Sequence, residues 1–413
     1  MRRRDRSSGG SPGGPAHGTT PWHAIDGGGP PPAAPLPAPE PRAGYSPPAG
    51  QLPTRWPGRA DGPAPGPDTG RVPEPPPRTA WTHEQPELIS VAVWTERVPG
   101  RGEDAEPLFA HHQESGQGLL AVFDGAGGAG ASPVWPAPGG TVMTSAWTGS
   151  RVARLATECW FHEVAQGLDE PGPERLHTYL DYFLSHAPQR RSKIAGTMRR
   201  QLPTTLAAVH YTTRADRRAL ELRALWAGDS RAYLLRPERG LQVLTRDHTR
   251  ESDALELLRS DPPMTNLVGA DRPFTVASQL QQGFELPCVL VTATDGWFGY
   301  VNTPADFERV LLGTLADARS AREWAARLRT EVTGYTGDDA TLVVTALGYR
   351  DFDALREDFA GRRRELDERV GNFGTAHGPD TAGRFPAWQD ATWQAYRADY
   401  EALLPPEPEE GMS

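Results

Sequence analysis

Cysteine and lysine are nearly absent from this chain. Two cysteines, Cys159 and Cys288, cannot build a disulfide framework, and neither has the CxxC or CxH neighbours of a thiolate metal site. A reducing, cytoplasmic setting is therefore the expectation. Lys193 stands alone among 43 basic residues, the rest being arginine. That bias, with abundant Ala, Gly and Pro, reflects a GC-rich coding sequence of bacterial character. Long apolar runs are also missing. Nothing approaches the roughly 18 consecutive apolar residues needed to span a bilayer, and residues 1–20 carry arginines without the apolar core of a signal peptide. A soluble, unsecreted protein with no membrane partner follows. Positive charge is short as well: the net charge of -10 disfavours a nucleic-acid partner, because a phosphate backbone demands a basic face.

Glycine and proline are plentiful but unevenly spread. Residues 1–84 are dominated by Pro, Gly, Ala and Arg, with Pro30-Pro31-Pro32 and Pro75-Pro76-Pro77, and offer no periodic apolar face. This segment reads as a disordered or polyproline-like tail, either a spacer or a docking segment. The expected organisation is this tail, a folded domain over 85–350, and a helical extension over 351–413.

Within the folded region, Ile89, Val91 and Val93 alternate as in a half-buried strand, and 119–123 is a short apolar run ending at Asp124-Gly125. Helical patterns cover 144–165 and 176–187. Strands are expected at 205–211, 220–227, 232–235, 289–293 and 341–346, with helices at 304–315 and 318–332. Strand runs separated by helix pairs argue for antiparallel sheets covered by helices. After a charged helix at 352–370, a second helix around 388–404 carries Trp393, Tyr396, Tyr400 and Leu403 on one face. Packing onto the domain is the preferred reading of that stripe over a free docking surface.

The candidate chemistry lies in carboxylates placed at strand ends or in Gly-containing turns beside apolar segments: Glu103, Asp104, Asp124, Asp229, Asp295 and Asp338-Asp339. Clustered carboxylates repel one another unless a cation offsets them, and hard cations such as Mg2+ and Mn2+ prefer oxygen ligands. The fragments occur in a set order: Gly102-Glu103-Asp104, Val122-Phe123-Asp124-Gly125, Thr204-Thr205-Leu206, Gly228-Asp229-Ser230-Arg231, Asp247-His248, Thr294-Asp295-Gly296-Trp297 and Asp338-Asp339-Ala340-Thr341. This order resembles that of the metal-dependent serine/threonine protein phosphatases (PPM family, type 2C), over roughly 90–348.

The resemblance implies an α+β fold, an αββα sandwich of two antiparallel sheets flanked by helices, with the metals in a cleft at one end. It implies two Mn2+ or Mg2+ ions, with a third and weaker site. Asp124 would bridge the two metals; the Gly125 carbonyl, Asp295 and Asp338 would complete one shell, and Glu103 or Asp104 would serve the other. Asp229 would hold the third ion together with Asp295. A water activated by the metals would attack phosphorus, with phosphorylated proteins, the products of a Ser/Thr kinase, as substrates. Three positions depart from the pattern. Pro99 stands where the phosphate-binding Arg is expected, leaving Arg97 or Arg101, of which Arg101 is preferred. Ala126 replaces a His proposed as general acid in other members, and Pro203 replaces a Gly before the Thr pair. These departures motivate the alternative of a pseudophosphatase, a binding or regulatory module without turnover. The intact acids Asp124, Asp295 and Asp338 argue against it. His248 is read as tying down a loop, and the arginines Arg190, Arg191, Arg199 and Arg200 as a solvated helix face. Residues 252–273 lie where the family carries a variable flap.

Overall fold

The computed structural model describes residues 79–136, 141–188, 200–213, 219–260, 262–370 and 381–407. The expected tail up to residue 78, together with Arg190, Arg191 and Arg199, lies outside them. Among the described residues the strands form two main sheets. One has the order β1 (Ala80–Gln85), β2 (Leu88–Thr95), β13 (Ala340–Leu347), β12 (Cys288–Ala293), β9 (Arg231–Arg236) and β10 (Gly240–Val243). The other has the order β11 (Ala277–Glu285), β8 (Ala219–Ala227), β7 (Leu206–Thr213), β4 (Gln117–Val122) and β3 (Leu108–His112). A small hairpin pairs β5 (Pro133–Pro136) with β6 (Val142–Thr144). The pairings in both main sheets are antiparallel.

Alternation along the central strands divides the core into layers. In β4, Leu120 and Val122 point between the sheets, while Leu119, Ala121 and the following Phe123 point to the opposite face. In β12, Leu290 faces the second sheet while Val289, Val291 and Ala293 face outward. The outward residues of the second sheet are covered by α2 (Ser145–Ala165) and α3 (Pro173–His186), through Trp160, Leu176, Leu180 and Leu184. Those of the first sheet are covered by α6 (Pro304–Asp317) and α7 (Ala321–Tyr335), through Phe307, Leu311, Trp324 and Leu328. The result is the αββα sandwich that the motif order implies. Shorter helices are α1 (Gly127–Gly130), α4 (Ala254–Arg259) and α5 (Asp295–Phe298).

Three details differ from the sequence expectation. Strand β1 occupies residues assigned to the tail, because the Pro-rich composition before it conceals the strand. The charged helix is two helices, α8 (Phe352–Asp358) and α9 (Ala360–Val370), divided at Phe359. The last helix, α10 (Thr381–Tyr400), buries Trp393, Tyr396 and Tyr400 in the layer that covers the first sheet, as expected of that stripe. Leu403 lies beyond the helix end and instead packs against the layer between the sheets. Polar anchors accompany that burial. Arg362 and Glu308 form an ion pair at 2.7 Å that is almost wholly buried, and Tyr396 donates to the same carboxylate.

Candidate active site

Register brings the acidic turns to one end of the sandwich. Ala340 at the start of β13 pairs with Thr95 at the end of β2, and Ala293 at the end of β12 pairs with Arg231 at the start of β9. In the second sheet Leu206 at the start of β7 pairs with Ala227 at the end of β8, and Val122 at the end of β4 pairs with Ala207. The segments carrying Glu103-Asp104, Asp124-Gly125, Asp229, Asp295 and Asp338-Asp339 therefore all leave the sheets at that end.

Each segment is fixed by hydrogen bonds. The Asp124 amide donates to Thr205 Oγ1 at 3.2 Å, and the Asp124 carbonyl accepts from Thr204 Oγ1 at 2.7 Å and from the Thr205 amide at 2.8 Å. Gly125 threads between two main-chain segments: a Cβ there would lie 2.6 Å from the Glu103 carbonyl oxygen and 2.9 Å from that of Ala146. The turn before β9 is held through His248, whose Nδ1 accepts from the Gly228 amide at 3.1 Å and whose amide donates to the Gly228 carbonyl at 2.9 Å. Burial keeps His248 neutral by lowering its pKa, as an accepting ring nitrogen requires. The loop-tying reading of His248 holds. Gly228 has φ +97°, and a Cβ on it would meet Thr205, so glycine is needed on both counts.

Asp104 is buried, and its Oδ2 accepts from Thr341 Oγ1 at 2.8 Å and Thr294 Oγ1 at 3.0 Å. Its other oxygen, Oδ1, is buried with no donor when Asp104 and its neighbour Asp124 are both ionised. The two carboxyls are close enough to share a proton. A proton or a cation between them satisfies the orphaned oxygen; two bare carboxylates do not. Burial, then the charge of Asp339, pushes the Asp104 carboxyl up to about 8. Burial, then Asp104 and Asp229, pushes Asp124 well above the usual carboxylate range. Glu103 is raised by burial and by Asp339 and Asp338, against a hydrogen bond from Thr144. Repulsion thus links Glu103, Asp104, Asp124, Asp229, Asp295 and Asp338 in one neighbourhood.

Among the described residues no three acidic, His or Cys side chains stand in a ready-made metal cage. Such a cage is not required of Mg2+-like ions, which keep several waters and are held by one or two carboxylates. The donor set, all oxygen, and the orphaned Asp104 Oδ1 fit a hard cation.

Arg101 is exposed on the β2–β3 loop. Arg97 is exposed too, but its amide is pinned by Asp339 Oδ1 at 2.8 Å, and its charge bears on Tyr300, whose hydroxyl lies against Asp338. Arg200 is half-buried and donates to the Leu267 carbonyl at 3.4 Å, so it ties down the segment around Leu267 and is not a solvated residue.

Two supporting roles emerge from the structure: one for Asp339, which the sequence placed among the acids without a role, and one for Arg151, which it did not single out. Asp339 Oδ2 accepts the Glu103 amide at 2.6 Å, so the second acid of the pair anchors the loop that carries the other acids. Arg151, on α2, donates to the Gly102 and Glu103 carbonyls at 3.2 Å each and lies over the Trp147 ring at 4.1 Å. Burial lowers its guanidinium to about 10. The doubled acid at 338–339 already marked Asp339 as a candidate; Arg151 sits in an ordinary helical pattern and had no such signal.

No protein-family model and no curated protein matches the chain. Among solved structures it is similar to a bacterial serine phosphatase, at 15% identity over 63% of this chain and 98% of that one, with a TM-score of 0.45. It is similar to the Mycobacterium tuberculosis serine/threonine phosphatase PstP/Ppp at 18% identity over 63% and 99% of the two chains, with a TM-score of 0.41. RsbX in complex with magnesium is similar at 13% identity over 65% and 99%, with a TM-score of 0.40.

Proposed function

We propose that the chain is a metal-dependent phosphatase acting on phosphoserine or phosphothreonine in proteins. The observation that carries this reading is the pair formed by buried Asp104 and half-buried Asp124, in which Asp104 Oδ1 is buried without a donor while both are ionised. A cluster of this kind costs stability unless a positive species offsets it, and is retained where it performs chemistry. The residues that would hold divalent cations are Asp124, the Gly125 carbonyl, Asp295 and Asp338 on one side and Glu103 or Asp104 on the other, with Asp229 serving a further weak site. Mn2+ or Mg2+ there would supply Lewis-acid chemistry, acidifying water and offsetting phosphoryl charge.

The protein's own groups do the rest. Thr204 and Thr205 fix the Asp124 main chain, and Thr294 and Thr341 orient the Asp104 carboxylate. Arg97 is favoured over Arg101 as the phosphate clamp, because its main chain is fixed by Asp339 and its charge bears on Tyr300 beside Asp338. A guanidinium there can grip two phosphate oxygens. With alanine at 126, leaving-group protonation would fall to solvent.

The deciding experiment is hydrolysis of an aryl phosphate and a phosphothreonine peptide with Mn2+, Mg2+ or chelator, for wild type, Asp124→Asn and Asp295→Asn. Metal-dependent turnover that both variants abolish supports the proposal. A folded wild type that turns over neither substrate with either metal favours the non-catalytic alternative suggested by Ala126 and Pro99.

A further inference from the structure

We propose that Tyr400 is a positioning residue for the acidic cleft, acting through Arg231 to hold the turns that carry Asp229 and Asp295. The inference rests on the proposed function only in giving those two acids a chemical role.

Arg231 occupies a junction. It is the first residue of β9, two positions after Asp229, and pairs in register with Ala293, two positions before Asp295. Its side chain is buried, so its five donors need partners within the protein. Asp247 takes one edge of the guanidinium, at 2.9 Å from Nε and 2.7 Å from Nη2. Nη1 donates to the Tyr400 hydroxyl at 3.3 Å. The plane of the group lies over Phe298 at 4.2 Å, and Phe298 is the last residue of α5, the single turn that Asp295 begins.

The turn before β9 is also joined to the other side of the cleft. Ser230 Oγ contacts Thr205 Oγ1 at 2.6 Å, and Thr205 Oγ1 accepts the Asp124 amide. A shift of Arg231 is therefore felt at Asp229, at Asp295 through Phe298, and at Asp124 through Ser230 and Thr205. Tyr400 belongs to the C-terminal extension, 169 residues from Arg231 in sequence. Its ring also packs against that of Tyr233, with centroids 6.2 Å apart.

One helical turn earlier on the same face, Tyr396 provides an internal control. Its hydroxyl donates to Glu308 on α6, which also accepts the Leu241 amide at 2.9 Å. Loss of either hydroxyl weakens the seating of α10, but only Tyr400 touches Arg231. A merely structural α10 predicts equal consequences for the cleft from Tyr396→Phe and Tyr400→Phe.

The test is hydrogen exchange on the metal-free, full-length protein, followed by calorimetric titration with Mn2+. Tyr400→Phe is expected to speed exchange of the Gly228, Ala232, Trp297 and Gly299 amides about fivefold, the worth of one buried hydrogen bond. Tyr396→Phe is expected to leave those four unchanged and speed the Leu241 amide instead. Mn2+ affinity is expected to fall by about the same fivefold factor in Tyr400→Phe alone. Unchanged cleft amides in Tyr400→Phe, equal changes in both variants, or a wild-type Mn2+ affinity in Tyr400→Phe overturns the inference. A wild type that binds no Mn2+ overturns the proposed function instead, and the exchange comparison then decides the role of Tyr400 by itself.

Discussion

Gly296 and Asp339 are packed against each other so closely that a Cβ on Gly296 would lie 2.0 Å from the Asp339 carbonyl oxygen. This contact joins the turn after β12, which carries Asp295, to the turn before β13, which carries Asp338. Because the opposing atom is main chain, it cannot swing aside. Gly296→Ala is expected to cost about 3 kcal/mol, the upper end for a methyl forced into a packed interior. Urea unfolding at neutral pH measures this cost. A wild-type midpoint would mean that the two turns can separate freely.

The same turn holds the β2–β3 loop by its other end. Asp339 accepts the amides of Arg97 and Glu103 with one carboxylate oxygen each, at 2.8 and 2.6 Å. Asp339→Ala removes both acceptors, and two hydrogen bonds to a charged group are worth about 3 kcal/mol. Asp339→Asn keeps one oxygen and is expected to lose about half as much. Both variants are expected to lower aryl phosphate turnover in the same order, because the loop that frays carries Glu103 and Asp104. Unfolding midpoints and turnover measured on the same preparations check the correlation.

The central strands of the two main sheets were legible in the sequence and the edges were not. In a two-sheet sandwich the inner strands are largely covered on both faces, so β4, β7, β9, β12 and β13 read as apolar runs, and β2 shows through the alternation of Ile89, Val91 and Val93. In these two sheets the strands missed, β1, β3, β10 and β11, are the four edges, and the small β5–β6 hairpin was missed as well. Edge strand β11, Ala-Ser-Gln-Leu-Gln-Gln-Gly-Phe-Glu, is largely solvated and bulged, and its composition suggests no strand. The acids of the site were legible because each lies beside a glycine or a second acid in a turn between apolar segments. Residues that act across long sequence separations were not: Arg231 with Tyr400, or Asp339 with Glu103, leave no local pattern. Both are contacts that only the closed sandwich creates.

The buried pair of Arg362 and Glu308 makes a further prediction about the C-terminal extension. Removing one partner of a buried pair strands the other charge, so Arg362→Met is expected to cost about 3–5 kcal/mol. Replacing both, Arg362→Met with Glu308→Leu, removes the stranded charge. Recovery is expected to be partial, because the Leu241 amide and the Tyr396 hydroxyl lose their shared acceptor. A double-mutant cycle by urea unfolding measures both costs. Full recovery would show that these two donors find water or another acceptor.

The last prediction concerns pH and a group far from the acids. His210 on β7 is buried beside Trp160 and Phe161, and its Nε2 lies 2.9 Å from Gln117 Oε1. Burial, with a smaller contribution from Arg223, lowers its pKa from 6.5 to about 4. The folded chain therefore keeps His210 neutral where the unfolded chain takes up a proton. Between pH 6.5 and about 4 the unfolded state binds more protons, so stability rises with pH across that window and falls as the medium is acidified. Above 6.5 neither state protonates this ring and its contribution is flat; below about 4 both do, and the loss is complete. The difference corresponds to about 3 kcal/mol. His210→Gln removes the titrating ring, so its stability relative to wild type is expected to improve steadily as pH falls through the window. Urea midpoints at pH 7.5, 6, 5 and about 4.5 for the two proteins isolate this residue from the carboxylates that titrate in both. Parallel pH profiles for the two would mean that His210 takes up its proton inside the folded core.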